Sequence, residues 1–472
     1  MIHPKPYLLY CLFILALSTN MAFGQKENYR VNKEQLFYTN VPAHDYDIIL
    51  ARPTNSSITV SILSYKNAIA YIEYFKYIEN KTVTDSFNLL ANEPFEYILN
   101  GLEPNSRYSY HLQYKPDGTF SFIKSHEYYF QTERSKSSEY TFTITADSHL
   151  DQNTDTLNYK TSMMNVASDS ADFNIDLGDT FMTDKYRNNY KDAINQYIAQ
   201  RYYFGLLDCP LFLVLGNHDG ESGQKLTGND DNMTVWANKE RKKYFPNPVP
   251  DGFYTGNEEQ SPPLGQPQDY YSWEWGNSLF IVLDPFLYTT NSGGRTPWSR
   301  SLGIKQYNWL KSTLENSKAT FKFVFIHHLV GGADIKGKSR GGVEVAGFYE
   351  WGGKNTDGSD GFNSNRPGWG MPIHDLLVKN KVTAVFHGHD HIYVKQELDG
   401  IIYQCLPQPG AKKNDNINSA SEYGYHNGTI MNGPGYLRVK VDKSTVTVDY
   451  VNTNAKNKSL NKSIKDSYII NH

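Results

Sequence analysis

Cysteine is nearly absent from this chain: three of 472 residues, Cys11, Cys209 and Cys405. So few exclude a disulfide scaffold and a cysteine-based zinc module. Long apolar runs are missing as well. With a hydrophobic fraction of 39% and a mean hydropathy of −0.58, the chain is not a polytopic membrane protein. Charge of one sign is not in excess either: 46 Lys and Arg stand against 50 Asp and Glu, a net −4. No basic stripe recommends a nucleic-acid polymer or an anionic membrane as partner. Internal repeats are also lacking. Aromatic side chains, in contrast, are abundant, with 36 Tyr, 24 Phe and 7 Trp. They supply the apolar bulk a folded core needs to offset chain entropy, and the length allows two or three domains.

At the N-terminus, His3 and Lys5 precede the apolar run from Tyr7 to Leu17 and the small residues of Ala22-Phe23-Gly24. A basic start, an apolar stretch shorter than the roughly 20 residues of a spanning helix, and a small-x-small site predict a secretory signal. The predicted signal covers residues 1–24, with no membrane span after its removal and a periplasmic or extracellular destination. Export permits Cys209 and Cys405 to pair, but two buried thiols suit the sequence equally, and no disulfide is assigned.

Residues 25–136 predict an all-β sandwich. Ile48-Ile49-Leu50, Ser57 to Ile62, Ala70 to Phe75 and Tyr108 to Tyr114 alternate or run apolar, between the turns Pro53-Thr54-Asn55, Pro104-Asn105-Ser106 and Pro116-Asp117-Gly118. Leu102-x-Pro104-Asn105-x-x-Tyr108-x-Tyr110 resembles the turn and tyrosine strand of fibronectin type III-like modules.

From residue 137 to 472 the pattern becomes that of an α/β domain. Strands are predicted at 140–145, 173–177, 211–215, 279–283, 321–326 and 382–386, and a helix over Gly303 to Leu314 with Ile304, Tyr307, Leu310 and Leu314 on one face. A second helix opens at Pro372 and runs to about Asn380; Tyr436 to Val441 and Val446 to Val451 form a hairpin, and the chain after Asn452 reads as a loose tail. Two long insertions, near 220–272 and 331–370, carry Lys and Arg among aromatics and are expected to form the rim of a pocket. Each of their basic residues, taken singly, reads as a solvated surface charge.

Five of the predicted strands end in potential metal ligands: Asp147-Ser148-His149, Asp176-Leu177-Gly178-Asp179, Gly216-Asn217-His218-Asp219, His327-His328, and His387-Gly388-His389-Asp390-His391. In open α/β sheets, loops beyond the carboxyl ends of the strands converge on one site. Any one of these motifs is weak; five in succession at strand ends are not. Three oxygen donors (Asp147, Asp179, Asn217) with four imidazoles (His149, His327, His389, His391) suit Fe, Mn or Zn better than Ca or Mg. Seven ligands exceed one tetrahedral site but fit two cations sharing a carboxylate.

This order of motifs, D-x-H, G-D, G-N-H-D, a later His and G-H-x-H, resembles the metallophosphoesterase (calcineurin-like) superfamily between Asp147 and His391. With a β-sandwich in front, the architecture is similar to that of purple acid phosphatases. The resemblance implies a two-sheet β-sandwich flanked by helices, two divalent or trivalent transition-metal ions, and hydrolysis of a small organic phosphate or nucleotide, mono- or diester, by a metal-bridging hydroxide. It further implies that Asp147, His149 and His391 hold one ion, Asn217, His327 and His389 the other, and that Asp179 bridges. His218 would face the phosphate, with Asp219 orienting its ring. His328 is left as a substrate contact or an outer support, and His387 as a packing residue. Met182 stands where purple acid phosphatases carry the tyrosine ligand of ferric iron, so a non-purple centre is expected. An alternative class, a surface- or carbohydrate-binding protein with a structural or vestigial dimetal site, is disfavoured by the intact donor set.

Overall fold

A computed structural model describes residues 36–260, 262–289, 296–331, 340–412 and 417–472, together with Met1. The predicted signal segment otherwise lies outside the described residues. Tyr46–Ala51, Ser57–Ser64 and Pro94–Asn100 form a three-stranded antiparallel sheet. Ala68–Phe75 and Arg107–Pro116 form the centre of a second, with Tyr128–Gln131 also paired to Arg107–Pro116. Ile48, Leu50, Val60 and Ile62 meet Ala70, Ile72, Tyr110 and Leu112 between the two sheets. Ile49 and Leu63 point the other way, into a cluster with Tyr197 and Phe204. Because successive residues in a strand face opposite sides, a sheet covered on both faces needs apolar residues at every position. That is why Ile48-Ile49-Leu50 does not alternate. Arg201, fully buried, ties this sheet to the rest of the chain, donating to the Ser61 carbonyl at 2.8 Å, the Asp47 carbonyl at 3.3 Å and the Tyr244 carbonyl.

Beyond residue 137 two larger sheets face each other. One has the neighbour order Leu211–Leu213, Asn174–Asp176, Tyr140–Thr145, Gly435–Val441, Thr445–Asn452, Ile464–Asn471. The other runs from Thr255–Gly256 through Tyr271–Trp275, Ser278–Val282, Phe321–Ile326, Ala384–His387, Ile401–Cys405 and Tyr393–Leu398 to Thr429–Met431. Their inner faces bury an aromatic core that includes Phe142, Phe173, Phe212, Trp273, Phe280, Phe323, Phe325 and Phe386. The helices Thr156–Ser168 and Ile194–Phe204 cover the first sheet, and Gly303–Asn316 and Ile373–Lys379 the second. Much of the aromatic content is therefore core.

Two local expectations are corrected. Ile304 is exposed, off the buried face made by Tyr307, Leu310 and Leu314. The tail is not loose: Ile464–Asn471 pairs antiparallel with Thr445–Asn452 as an edge strand. Lys465, Asp466 and Ser467 disguised it, since an edge strand with one open side tolerates polar residues that an inner strand does not. Cys209 and Cys405 are both buried and free.

Among the described residues the insertion at 220–272 is built around the helix Met233–Tyr244, and Arg241, Lys242 and Lys243 on that helix are spent on the fold. Arg241 is completely buried and pairs with Glu221 through two bonds of 2.6 and 3.0 Å, while also donating to the Pro267 carbonyl at 2.7 Å. Lys242 donates to the Leu264 and Gln266 carbonyls, and Lys243 pairs with Glu93 of the front sandwich. Removing one partner of a buried pair leaves a charge without compensation, which costs about 3–5 kcal/mol. Arg241→Ala is therefore expected to lose that much stability in denaturant unfolding. A loss below about 1 kcal/mol, the scale of an exposed pair, would show that the pair contributes little.

Candidate metal centre

The strand-end loops are joined by their own hydrogen bonds. Asp147 N–H donates to the Gly178 carbonyl at 2.9 Å, His327 Nδ1–H to the Leu177 carbonyl at 2.8 Å, Gly388 N–H to the His327 carbonyl at 3.0 Å, and His389 N–H to the Asp147 carboxylate at 2.9 Å. Loops from both sheets thus close around one point. The approach is tight: a Cβ on Gly216 would lie 2.0 Å from the Asp179 nitrogen, and one on Gly178 would lie 2.4 Å from the Gly216 nitrogen. Only glycine fits at either position.

Two groups of potential ligands result, Asp147 with His149 and His391, and Asp179 with His327 and His389, the donor atoms of each lying within 4.8 Å of one another. Asp179 joins them, its Oδ2 standing 3.6 Å from His149 Nε2 and 3.3 Å from His327 Nε2. Asn217 Oδ1 and His389 Nδ1 lie 3.1 and 3.2 Å from His327 Nε2. His391 Nε2 is 3.5 Å from Asp147 Oδ1. All seven predicted ligand residues are brought together.

The donor set fits cations. Among the described residues His149 Nε2 is buried with no hydrogen-bond partner, a cost of about 1–3 kcal/mol unless something else engages it. Since His327 Nδ1 donates to Leu177, its Nε2 is the nitrogen turned toward Asn217, Asp179 and His389, in the manner of a metal ligand oriented by a backbone carbonyl. Backbone conformation carries a further signal. Asp147, His149, Asp179, His389 and His391 all have φ between 48° and 71°, the left-handed region that costs non-glycine residues about 1–3 kcal/mol each. Strain of that kind persists where the surrounding structure over-determines it.

Electrostatics agree. Burial holds the His389 imidazole well below its ordinary value, assisted by His327 and His328, so its ring is a neutral lone-pair donor, whereas the carboxylates of Asp147, Asp151 and Asp179 outweigh burial at His149 and hold it well above its ordinary value. Burial also opposes charge on His327, but the carboxylates of Asp179 and Asp147 prevail and raise it to about 9. Burial works against the Asp179 carboxylate too, yet His327 and His218 hold it well below the usual carboxylate range. Protons and cations therefore compete for one set of atoms.

The orientation of His218 departs from expectation. Its Nδ1 is 2.9 Å from Asp184 Oδ1, and its Nε2 is 3.9 Å from Asp179 Oδ2. Asp219 does not touch the ring. Its carboxylate turns inward to accept N–H groups of Gly216, Asp179, Thr180 and Phe181 at 2.7 to 3.1 Å, stitching the Gly178-Asp179 loop to the Gly216-Asn217 loop. Asp184 is thus the carboxylate on the histidine, and Asp219 supports backbone. His328 packs edge-on against Phe286, its Nδ1–H donating to the Leu329 carbonyl, and belongs to neither ligand group. His387 forms a third cluster with Asp390 and Cys405, but Asp390 is already engaged by Arg340, the Gly341 N–H and Tyr425. Met182 is buried and in neither group around Asp179.

Several supporting residues escaped the sequence reading. Gln196 and Gln200, one turn apart on Ile194–Phe204, donate to the carbonyls of His149 and Thr180, both at 2.8 Å. Gln408 donates to the Asp147 carbonyl at 3.0 Å. Two glutamines on the apolar face of a helix were the available clue. Arg366 is tied to Glu350 and to the Trp298 and Arg300 carbonyls, while Lys336 and Lys338 lie outside the described residues.

A pair of facing mixed sheets whose parallel strands end in Asp, Asn and His around a shared carboxylate is the architecture of a metal-dependent phosphoesterase. The profile of the calcineurin-like phosphoesterase family matches residues 140–393, more than half of the chain, and the chain belongs to that family. Its members use a dinuclear metal centre. A solved structure of PhoD, 14% identical and covering 92% of both chains, is similar in fold with a TM-score of 0.62. GAP50, the anchor in the inner membrane complex of Plasmodium (14% identity, 71% of this chain and 89% of that one), is more distant at a TM-score of 0.38. So is a dimetal phosphatase from Danio rerio (12% identity, 70% and 98%), also at 0.38; at such scores neither bears on this chain. No curated protein sequence matches the chain significantly.

Proposed function

We propose that this chain is an exported dimetal phosphoester hydrolase acting on a small organic phosphate, mono- or diester, or on a nucleotide. The observation that supports this most is the Asp179 carboxylate, which reaches His149 of one ligand group at 3.6 Å and His327 of the other at 3.3 Å. We assign Asp147, His149 and His391 to one cation, Asn217, His327 and His389 to the second, and Asp179 to both. Two first-row ions held there would supply Lewis-acid activation of water and charge stabilisation at phosphorus. In the net reaction water gives its oxygen to phosphorus, and the ester P–O bond breaks with its electron pair going to the departing oxygen. One proton of the water ends on the released alcohol.

The remaining work belongs to the protein. His218 stands partly exposed beside Asp179, its Nδ1 held by Asp184, so that Nε2 is the nitrogen left to meet a phosphoryl or departing oxygen and, when protonated, to donate to it. Gln196, Gln200, Gln408 and Asp219 hold the ligand-bearing loops still. Export rests on the pattern of residues 1–24; among the described residues no helix is long and apolar enough to cross a membrane. The front sandwich is fibronectin type III-like in this reading, supported by the Tyr108 hydroxyl accepting the Glu103 N–H at 2.9 Å beside Pro104.

The test is hydrolysis of p-nitrophenyl phosphate and bis-p-nitrophenyl phosphate by the metal-loaded chain beside Asn217→Ala. Chelation should abolish turnover, and Mn²⁺ or Zn²⁺ should restore it. Since outer supports of metal ligands alone are worth about 10–100-fold, Asn217→Ala should fall at least about 100-fold. Equal rates for both proteins, or none for either, would contradict the proposal.

A further inference from the structure

Next to His391 the surface folds into a cavity of about 280 Å³. The His391 side chain, about one third exposed, forms one wall, so the cavity opens directly from the first ligand group. The other walls include residues to which the sequence offered no clue: Asn153, Gln408, Lys412, Ser419, Tyr423 and Asn432.

These walls are fixed to the ligand-bearing loop. Asn153 donates its N–H to Asp151 Oδ1 at 2.8 Å, and Lys412 donates to the Gln152 carbonyl and, at 3.3 Å, to the Tyr38 hydroxyl. The Arg340 guanidinium lies 3.9 Å over the Tyr423 ring while its Nη1 holds Asp390, the neighbour of His391. The cavity is thus held in place against the loops that carry His149 and His391.

Its chemistry is specific. Asn153, Gln408 and Asn432 contribute amides, Asp390 a carboxylate, Ser419 a hydroxyl, Lys412 an ammonium and Tyr423 an aromatic ring, beside the aliphatic Ile392 and Ala411. An amide donates and accepts from one planar group, as adjacent hydroxyls require, and a ring offers a flat face to the C–H side of a sugar. An alkyl chain in the same place would strip water from these groups and replace none of its hydrogen bonds. At about 280 Å³ the space falls just under the 300–1,000 Å³ usual for drug-sized ligands, which suits a single ring.

We propose that this cavity binds the alcohol part of the substrate, and that this part is hydroxyl-rich, making the substrate a sugar or polyol phosphate rather than an alkyl or lipid phosphate. The assignment rests on the phosphoesterase reading of the neighbouring ligand groups.

The experiment compares glucose 6-phosphate with n-hexyl phosphate, matched in carbon number, using the metal-loaded full chain, with AMP and p-nitrophenyl phosphate alongside. Glucose 6-phosphate should lead hexyl phosphate at least tenfold in kcat/KM, mostly through KM. Ser419→Leu, which fills the cavity, and Lys412→Met, which removes its ammonium, should each draw that ratio toward one, with circular dichroism reporting that each variant is folded. Ligand-observed NMR of free glucose and hexanol supplies a readout independent of turnover: glucose should bind the wild type and lose contact in Ser419→Leu. A wild-type ratio of one or less, a ratio unmoved by both variants, or a tenfold lead of AMP over glucose 6-phosphate would overturn the assignment. If no ester is hydrolysed, the phosphoesterase reading fails. Glucose bound in the NMR experiment would then uphold the cavity's chemistry, and its absence would overturn that too.

Discussion

Replacing Asp179 by asparagine is expected to cost at least about a thousandfold in kcat and to leave no more than one tightly bound metal per chain. Losing a single preorganised charge stabiliser costs about 10²–10³ in comparable sites, and outer-shell losses alone weaken metals about 10–100-fold. Asp179 is more than either. Its Oδ2 stands between His149 and His327, and its Oδ1 accepts the His218 N–H at 2.7 Å. The amide keeps the shape and removes the charge, so the fold should survive while both ligand groups lose what they share. Activity within tenfold of the wild type, with two metals retained, would show that the groups do not depend on that carboxylate.

His218→Asn should behave differently. Metal content should stay at two, because His218 belongs to neither ligand group, while turnover of alkyl phosphates falls by about 10²–10⁴, the usual worth of a positioned proton donor. p-Nitrophenolate departs with little need of a proton, so its ester should suffer much less. Asp184→Asn removes the charge that faces His218 Nδ1 at 2.9 Å and should reproduce the same leaving-group pattern at about 10–100-fold, the range for groups that orient a functional histidine. Asp219→Asn should instead destabilise the loops without that pattern, since its carboxylate holds four backbone N–H groups. If His218→Asn slows both esters equally, the histidine binds phosphate without protonating the departing oxygen.

Much of the site could be read from the chain because metal chemistry demands particular side chains, and parallel strands deliver them at their ends. Gly178 and Gly216 stood in the motifs without a stated reason, which the structure supplies: only glycine permits the two loops to touch at Asp179. What stayed hidden depends on direction rather than on residue type. Asp219 adjoins His218 in sequence, yet the turn aims it at backbone, and the carboxylate that reaches the ring comes from Asp184, 34 positions away. Arg241 and Arg366 looked like surface charges because nothing local names their partners, Glu221 and Glu350. The cavity walls were invisible for the same reason: Asn153, Lys412 and Ser419 acquire meaning only when separate loops meet. The edge strand Ile464–Asn471 was masked by the polar residues an open edge permits.

Anomalous diffraction from crystals grown with Mn²⁺ addresses the central claim most directly. Two peaks are predicted about 3.5–4 Å apart, one among Asp147, His149 and His391, the other among Asn217, His327 and His389, with Asp179 touching both. A single peak, or density at the His387–Asp390–Cys405 cluster and none at these two positions, would contradict the account.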